Sequence, residues 1–252
     1  MPTSLRASAL AVQDRAYVPF SRQPIGVALG LASGRWVAAP RIESASFPLT
    51  IPALQGAWAL AAPVGEAILA AASSRPLLES ELAFLSEVTG EPWTLETAEI
   101  ASCGPMPEWT RELAIEHSSP APTSAAEAMA HALEAATRAV VPASDFRVGA
   151  VVVDTSGRWV TGANVEHVGD WTRGLCAERS ALVAARAAGL GPISRFALAC
   201  PKAPGATPCG GCRQLIAEQA PDAEILMWMG EASPGCQTPQ DLLPGAFTGD
   251  QL

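Results

Sequence analysis

Cys176-Ala177-Glu178-Arg179-Ser180-Ala181-Leu182 and, further on, Pro208-Cys209-Gly210-Gly211-Cys212-Arg213-Gln214 decide how this chain is read. Three thiols with an acid beside the first meet the needs of a catalytic zinc site, which takes three protein ligands and keeps a fourth position open for water. Both segments are predicted to open helices, where the helix dipole and the free N–H groups of the first turn favour an anionic thiolate. A lone Cys-x-x-Cys would be weak, whereas the two segments in this order and spacing are specific. Structural zinc fills its fourth position with another side chain and has no use for Glu178.

The elements around these segments follow from local pattern. Residues 124–140 are alanine-rich, with Ser124 and Glu127 at capping-box separation, and predict a helix. Residues 147–154 are mostly apolar and β-branched, 154–157 read as a turn, and 158–162 return as the second strand of a hairpin. A helix then starts near Cys176, a strand covers 196–200, a Pro/Gly loop 201–208, a helix 209–219 and a last strand 223–228. That order, αββαβαβ, predicts a mixed sheet with helices on both faces.

The first half repeats the second. Ser-Gly-Arg-Trp-Val occurs at 33–37 and at 156–160, a constant offset of 123 positions (33 to 156) that also pairs Pro19 with Pro142, Gly26 with Gly149 and Glu43 with Glu166. One register held across all of these indicates two copies of one fold. Where the first copy should carry its ligand motif it reads Pro52-Ala53-Leu54, with no Cys-x-x-Cys after it. The expected organisation is a degenerate, non-catalytic domain over 1–115, a polar, proline-bearing linker over 116–123 and a catalytic domain over 124–252.

Composition narrows the partners. With 252 residues, 49% of them hydrophobic, the chain can fill two ordinary cores. A formal charge of −9 and only 16 basic residues argue against nucleic acid, which is bound through clustered Lys and Arg. No apolar run is long enough for a membrane span. The six cysteines form no disulfide-like framework and the first residues lack a signal peptide's apolar core, so a reducing cytoplasm is expected.

As they stand in CAERSAL and PCGGCRQ, with the gap between them, these residues resemble the cytidine deaminase family. The resemblance covers the second copy almost entirely and the first more loosely. It implies two three-layer α/β/α domains with mixed sheets, and one zinc per chain on Cys176, Cys209 and Cys212. The implied reaction is hydrolysis of cytidine or deoxycytidine to the uridine nucleoside and ammonia. In it the zinc supplies an activated water and Glu178, which is not a ligand, moves protons as both base and acid. Arg179 is placed by the family pattern near the ligand sulfurs, where it would offset the net −1 of three thiolates on Zn²⁺, and Arg213 is a second candidate.

The same resemblance implies the substrate contacts. Asn164 and Glu166 stand where the family's Asn-x-Glu holds the ribose 3′-hydroxyl, Phe146 borders base and sugar, and Ala177 offers its backbone N–H to the pyrimidine O2. Phe247, in Leu242-Leu243-Pro244-Gly245-Ala246-Phe247, stands where an aromatic ring covers the base, commonly from a neighbouring subunit. In single-copy tetramers the segment after Asn-x-Glu reaches a neighbour's site, and Glu43 to Ile51 of the first copy resembles it. Ala45 and Phe47 are accordingly expected to line the catalytic pocket of the second copy, in the same chain or its partner in a homodimer that rebuilds a pseudo-tetramer of domains.

The chain departs from the family in two ways. The intact copy comes second and uses three cysteines, and residues 167–175 are one residue longer than the family's segment and unlike it in composition. The second departure keeps open a modified cytosine nucleoside, such as a blasticidin-type antibiotic or a biosynthetic intermediate, as substrate. A non-catalytic, zinc-stabilised dimer is the reading from another class.

Overall fold

The structure is a computed structural model that describes residues 5–230 and 232–249, and the chain divides into two units, each with its own sheet. One unit runs to Glu43 and resumes over Ile51–Ala114. It contains helix α1 (Leu5–Gln13), strands β1 (Gly26–Leu31) and β2 (Arg35–Pro40), helix α2 (Ala53–Ala61), β3 (Ile68–Ser73), α3 (Glu79–Thr89), β4 (Thr94–Thr97), β5 (Ile100–Ser102) and β6 (Arg111–Glu112). The strand order is β4-β5-β3-β1-β2-β6, with β6 parallel to β2 and the other pairs antiparallel. Every residue of β1 is buried, as an unbroken apolar run requires. Helices α2 and α3 pack together through Trp58 and Phe84, whose rings meet edge to face at 5.5 Å.

The other unit takes Ser44–Thr50 and continues from Ile115. Its elements are α4 (Ala125–Thr137), β7 (Gly149–Asp154), β8 (Trp159–Ala163), α5 (Ala177–Ala188), β9 (Ile193–Ala199), α6 (Gly210–Gln219), β10 (Glu224–Met227), β11 (Gly235–Gln237) and α7 (Pro239–Leu242). The order is β11-β10-β9-β7-β8, parallel between β9 and β10 and antiparallel elsewhere. The Ser124–Glu127 capping box forms as expected, and α4 ends at Thr137, three residues before the predicted end. The sequence reading ended the sheet at residue 228 and missed β11. That strand is three residues long, starts on a glycine and lies on an edge, so it carries neither the length nor the alternation that marks a strand. No helix among the described residues is long and apolar enough to cross a membrane.

Two glycines set the layers of this unit. A Cβ on Gly149 would stand 2.0 Å from the Ala132 carbonyl oxygen of α4, and one on Gly162 would stand 2.3 Å from the Ala181 nitrogen of α5. Gly162 pairs with Ala150, the neighbour of Gly149, so α4 and α5 lie on opposite faces of the sheet. The other unit repeats the first of these approaches. A Cβ on Gly26 would meet the Ala9 carbonyl oxygen at 2.1 Å, and both residues sit at the same 123-position offset from their counterparts.

Main-chain bonds repeat as well. Tyr17 N–H donates to the Arg41 carbonyl and Val140 N–H to the Asn164 carbonyl, each at 3.0 Å. The bridge Ile42–Ile51 answers to Val165–Leu175, with one more residue enclosed in the second. The copies part after the third strand. Helix α6 leads to β10, which lies parallel to β9, whereas α3 leads to a β4–β5 hairpin whose second strand runs antiparallel to β3.

Candidate active site

Cys176 and Cys209 are the N-cap residues of α5 and α6, both extended, with φ −65° and ψ 157° and 165°. Cys212 sits in the first turn of α6. The three sulfurs lie within 4.8 Å of one another, and Cys176 Sγ is 4.0 Å from Cys209 Sγ. Tetrahedral zinc at about 2.3 Å from each thiolate places sulfurs about 3.8 Å apart, so the cluster is compatible with the ion. Among the described residues it is the one group of three metal-ligating side chains.

The donor set fits a cation chemically. Cys209 is held well below the usual thiol range by hydrogen bonds from Cys176 and Cys212, and by the N–H groups of Cys212 and Gly211 at the helix start. Cys176 and Cys212 are pushed up, first by their bonds to a neighbouring sulfur and then by burial. Three thiols so close cannot all ionise on their own, and a divalent cation relieves that competition.

Glu178, the second residue of α5, is 4% exposed. Burial, reinforced by the charge of Cys209, raises its pKa to about 7, in the range suited to taking and giving a proton near neutral pH. It borders a cavity of about 580 Å³ together with Cys176, Cys209, Ala177, Phe146, Asn164 and Glu166. Eight of the twelve residues singled out by sequence thus meet in one place, counting Cys212 as part of the sulfur cluster.

Asn164 and Glu166 also brace the loops before β7. Asn164 Oδ1 accepts the Val148 N–H and its Nδ2 donates to the Phe146 carbonyl, both at 2.8 Å. Glu166 accepts the N–H groups of Ala143 and Ser144 at 2.9 and 3.1 Å, and the Ser144 hydroxyl.

Four of the residues singled out lie outside this lining. Phe247 is half-exposed and absent from the lining, and its carbonyl accepts from Gln214 Nε2 at 2.6 Å. Ala45 and Phe47 do not line the cavity within one chain. Ala45 is buried with its N–H on Glu218, and Phe47 stands 83% exposed. Arg179 donates to the Leu49 carbonyl at 3.2 Å, so Ser44–Thr50 lies against the helices that carry the sulfurs. Ser44 Oγ donates to Glu218 of α6 at 2.7 Å, and the Leu49 side chain crowds Gly211, where a Cβ would meet it at 2.9 Å. Arg213, the second candidate for charge compensation, bonds the Pro208 carbonyl and the Thr207 hydroxyl and braces the loop before Cys209.

Trp171, Cys200 and Thr207 line the cavity and were not singled out. The signal for Trp171 was its place in the unusual 167–175 segment. Cys200 and Thr207 lie in or beside a Pro/Gly loop whose pattern carries no direction.

Residues 122–228 match the family described as the cytidine and deoxycytidylate deaminase zinc-binding region, and residues 2–89 match a second family of the same description. The cytidine deaminase of Halalkalibacterium halodurans is 37% identical over 125 residues, 48% of this chain and 92% of that protein. A cytidine deaminase of Mycobacterium tuberculosis is 40% identical over 124 residues, 48% of this chain and 88% of that one. Among solved structures, cytidine deaminase from Burkholderia pseudomallei is 33% identical, covers 50% of this chain and 100% of its own, and superposes with a TM-score of 0.47. The chain belongs to the cytidine deaminase family of zinc-dependent hydrolytic deaminases, in a form that carries two domains on one polypeptide.

Proposed function

We propose that the chain removes the 4-amino group from free cytidine or deoxycytidine, giving uridine or deoxyuridine and ammonia, at one site per chain built by the second copy. The observation that carries this reading is Glu178, buried at the floor of a substrate-sized cavity beside the three-sulfur cluster. Bound to Cys176, Cys209 and Cys212, zinc would supply an acidified water at that floor. Glu178 carries two protons in turn, one from the water to N3 of the ring and one from the hydroxyl then on C4 to the departing ammonia, and burial keeps it close to both protonation states at neutral pH. The Ala177 N–H at the start of α5 donates to the pyrimidine O2, and Asn164, Glu166 and Phe146 hold the sugar end. Arg179 acts through the Leu49 carbonyl and its charge near Glu178.

The substrate is a nucleoside and not its phosphate. Among the described residues no Lys or Arg lines the cavity, and Glu166 puts a carboxylate there, which repels a phosphoryl group. Ammonia release from cytidine, deoxycytidine and their 5′-monophosphates tests this: turnover of the nucleosides alone is expected, and faster turnover of the monophosphates overturns it. A modified cytosine nucleoside is the second reading, favoured by the long 167–175 segment that brings Trp171 to the cavity.

The same reading assigns the enzyme to pyrimidine salvage in the cytoplasm and to a homodimer of four domain copies. Phe47, 83% exposed on a short turn, suits contact with a partner's site, and Phe247 has the same role in view. Sedimentation of the purified protein tests the dimer, and a monomer at assay concentration removes it.

A further inference from the structure

The three sulfurs are not held alike. Cys212 is buried, Cys176 half-buried and Cys209 exposed. Cys212 lies inside the first turn of α6, and the residue before Cys176 is tied down by two main-chain bonds of 2.9 Å between Leu175 and Val165. Cys209 has neither support, because it ends a loop. Among the described residues, no main-chain group bonds Thr207 or Pro208, the two residues that lead into it. Pro208 has no N–H to give and is buried, so its carbonyl needs a partner inside the protein.

Arg213 is that partner. Its N–H closes the first turn of α6 on the Cys209 carbonyl at 2.9 Å, and its side chain reaches back over the same turn, the direction helical side chains take. Nε donates to the Pro208 carbonyl at 2.8 Å, Nη2 to the Thr207 hydroxyl at 2.6 Å and Nη1 to the Leu242 carbonyl at the end of α7 at 3.2 Å. Each nitrogen of the fork holds a different acceptor. Among the described residues none of these bonds goes to a sulfur, which sets Arg213 apart from a residue that only offsets thiolate charge.

The segment on the far side of the fork is itself anchored. Leu242 is buried, α7 opens on a capping box between Thr238 and Asp241, and Gln214, next to Arg213, donates to the Phe247 carbonyl at 2.6 Å. A further bond, from Gln240 Nε2 to the Pro221 carbonyl at 3.1 Å, ties the same segment beyond the other end of α6, away from the sulfurs. An exposed sulfur at the end of a loop is the one that local opening frees first. Arg213 fastens that loop to α6 and α7 in one step.

Resting on the zinc assignment above, we propose that Arg213 is a positioning residue for the metal: by tying Thr207 and Pro208 to α6 and α7 it keeps Cys209 seated and slows the release of zinc. The test is the rate at which the zinc-loaded protein gives up its metal to an excess of a chromogenic chelator, with zinc content and Tm measured beside it. The parent is compared with Arg213→Met, Arg213→Lys, Thr207→Val and Gln240→Ala. Arg213→Met should release zinc about 10–100-fold faster, the factor in metal affinity carried by groups that orient ligands. Arg213→Lys keeps the charge but cannot fork to three acceptors, so it should recover little of the loss. Thr207→Val should fall between Arg213→Met and the parent, and Gln240→Ala should match the parent. A parent-like rate in Arg213→Met overturns the inference. A parent-like rate in Arg213→Lys makes the role one of charge, and equal acceleration in Gln240→Ala makes it one of general stability; either overturns it as well. Where Arg213→Met does not fold, Arg213→Lys and Thr207→Val decide, and parent-like rates in both overturn it. A parent protein that holds no zinc overturns the zinc assignment, and the inference with it.

Discussion

The first residues of α2 and α5 occupy matching places in the two copies, and they show how one scaffold came to hold chemistry in only one of them. Pro52 caps α2 with φ −59° and ψ 143°, close to the −65° and 157° of Cys176 at the start of α5. Leu54 is 3% exposed where Glu178 is 4% exposed. The backbone path and the burial match, while a proline suited to a helix start stands in place of the thiol and a leucine in place of the buried acid. A buried carboxylate costs stability unless it is compensated, whereas a buried leucine contributes to it, so loss of function at this position favours the fold.

The positions proposed to hold the sugar differ in the same sense. Glu43 is 3% exposed, accepts the N–H groups of Phe20 and Ser21 and pairs with Arg41 at 3.2 Å. Burial raises its pKa, and the hydrogen bonds with Ser21 and Phe20 and the Arg41 charge more than reverse this, so the carboxylate stays ionised. Arg41 stands at the position of Asn164, and an arginine there ties the acid into the structure where an asparagine leaves it facing a cavity.

The largest test of this contrast is Glu178→Gln. Loss of the proton carrier should lower kcat by at least the ~10²–10⁴-fold typical of general acid–base catalysis, with zinc still at one per chain by elemental analysis. Near-normal turnover, or a second zinc, would show that the first copy is not the silent one.

Asp154 comes next. It is buried, accepts from Ser156, Arg158 and Gly191, and has Leu31 as its counterpart. Asp154→Ala should cost about 3 kcal/mol in denaturant unfolding, as expected when several buried donors lose one acceptor. Burial alone would raise the Asp154 pKa, but the hydrogen bonds from Ser156, Gly191 and Arg158 outweigh it and hold the group below its ordinary value. Its contribution is therefore complete above about pH 3.9, the unfolded value, and is lost as pH falls through the lower folded value. The variant should lack that acid-dependent step, and an unchanged pH profile of stability would remove Asp154 as its source.

Paired substitutions sharpen the sugar comparison. Glu166→Ala should raise KM for the nucleoside about tenfold or more with zinc retained, whereas Glu43→Ala should leave KM unchanged and lower Tm. Equal KM effects would mean that both copies touch substrate. The smallest expected effect is that of Glu218→Gln, which weakens the bonds to Ser44 and Ala45 and should cost about 1 kcal/mol of stability. A change well beyond that would make the Ser44–Thr50 segment a larger support of the sulfur-bearing helices than its hydrogen bonds indicate.

Sequence alone picked out the three-thiol cluster and the acid beside it, the two-copy organisation and the order of elements in the second copy up to β10. These rest on local signals: thiols at helix starts, a capping box, glycines and Ser-Gly-Arg-Trp-Val at one offset. Tertiary structure decided what local signals do not encode. The β4–β5 hairpin and β11 depend on which edge a short strand finds, the Leu49 carbonyl that meets Arg179 is a backbone atom indifferent to residue type, and Trp171 lines the cavity from a segment whose sequence does not show where it packs. Ser44–Thr50 belongs by sequence to the first copy and by packing to the second, because Glu218 and Arg179 offer its backbone and hydroxyl groups partners that only folding brings near.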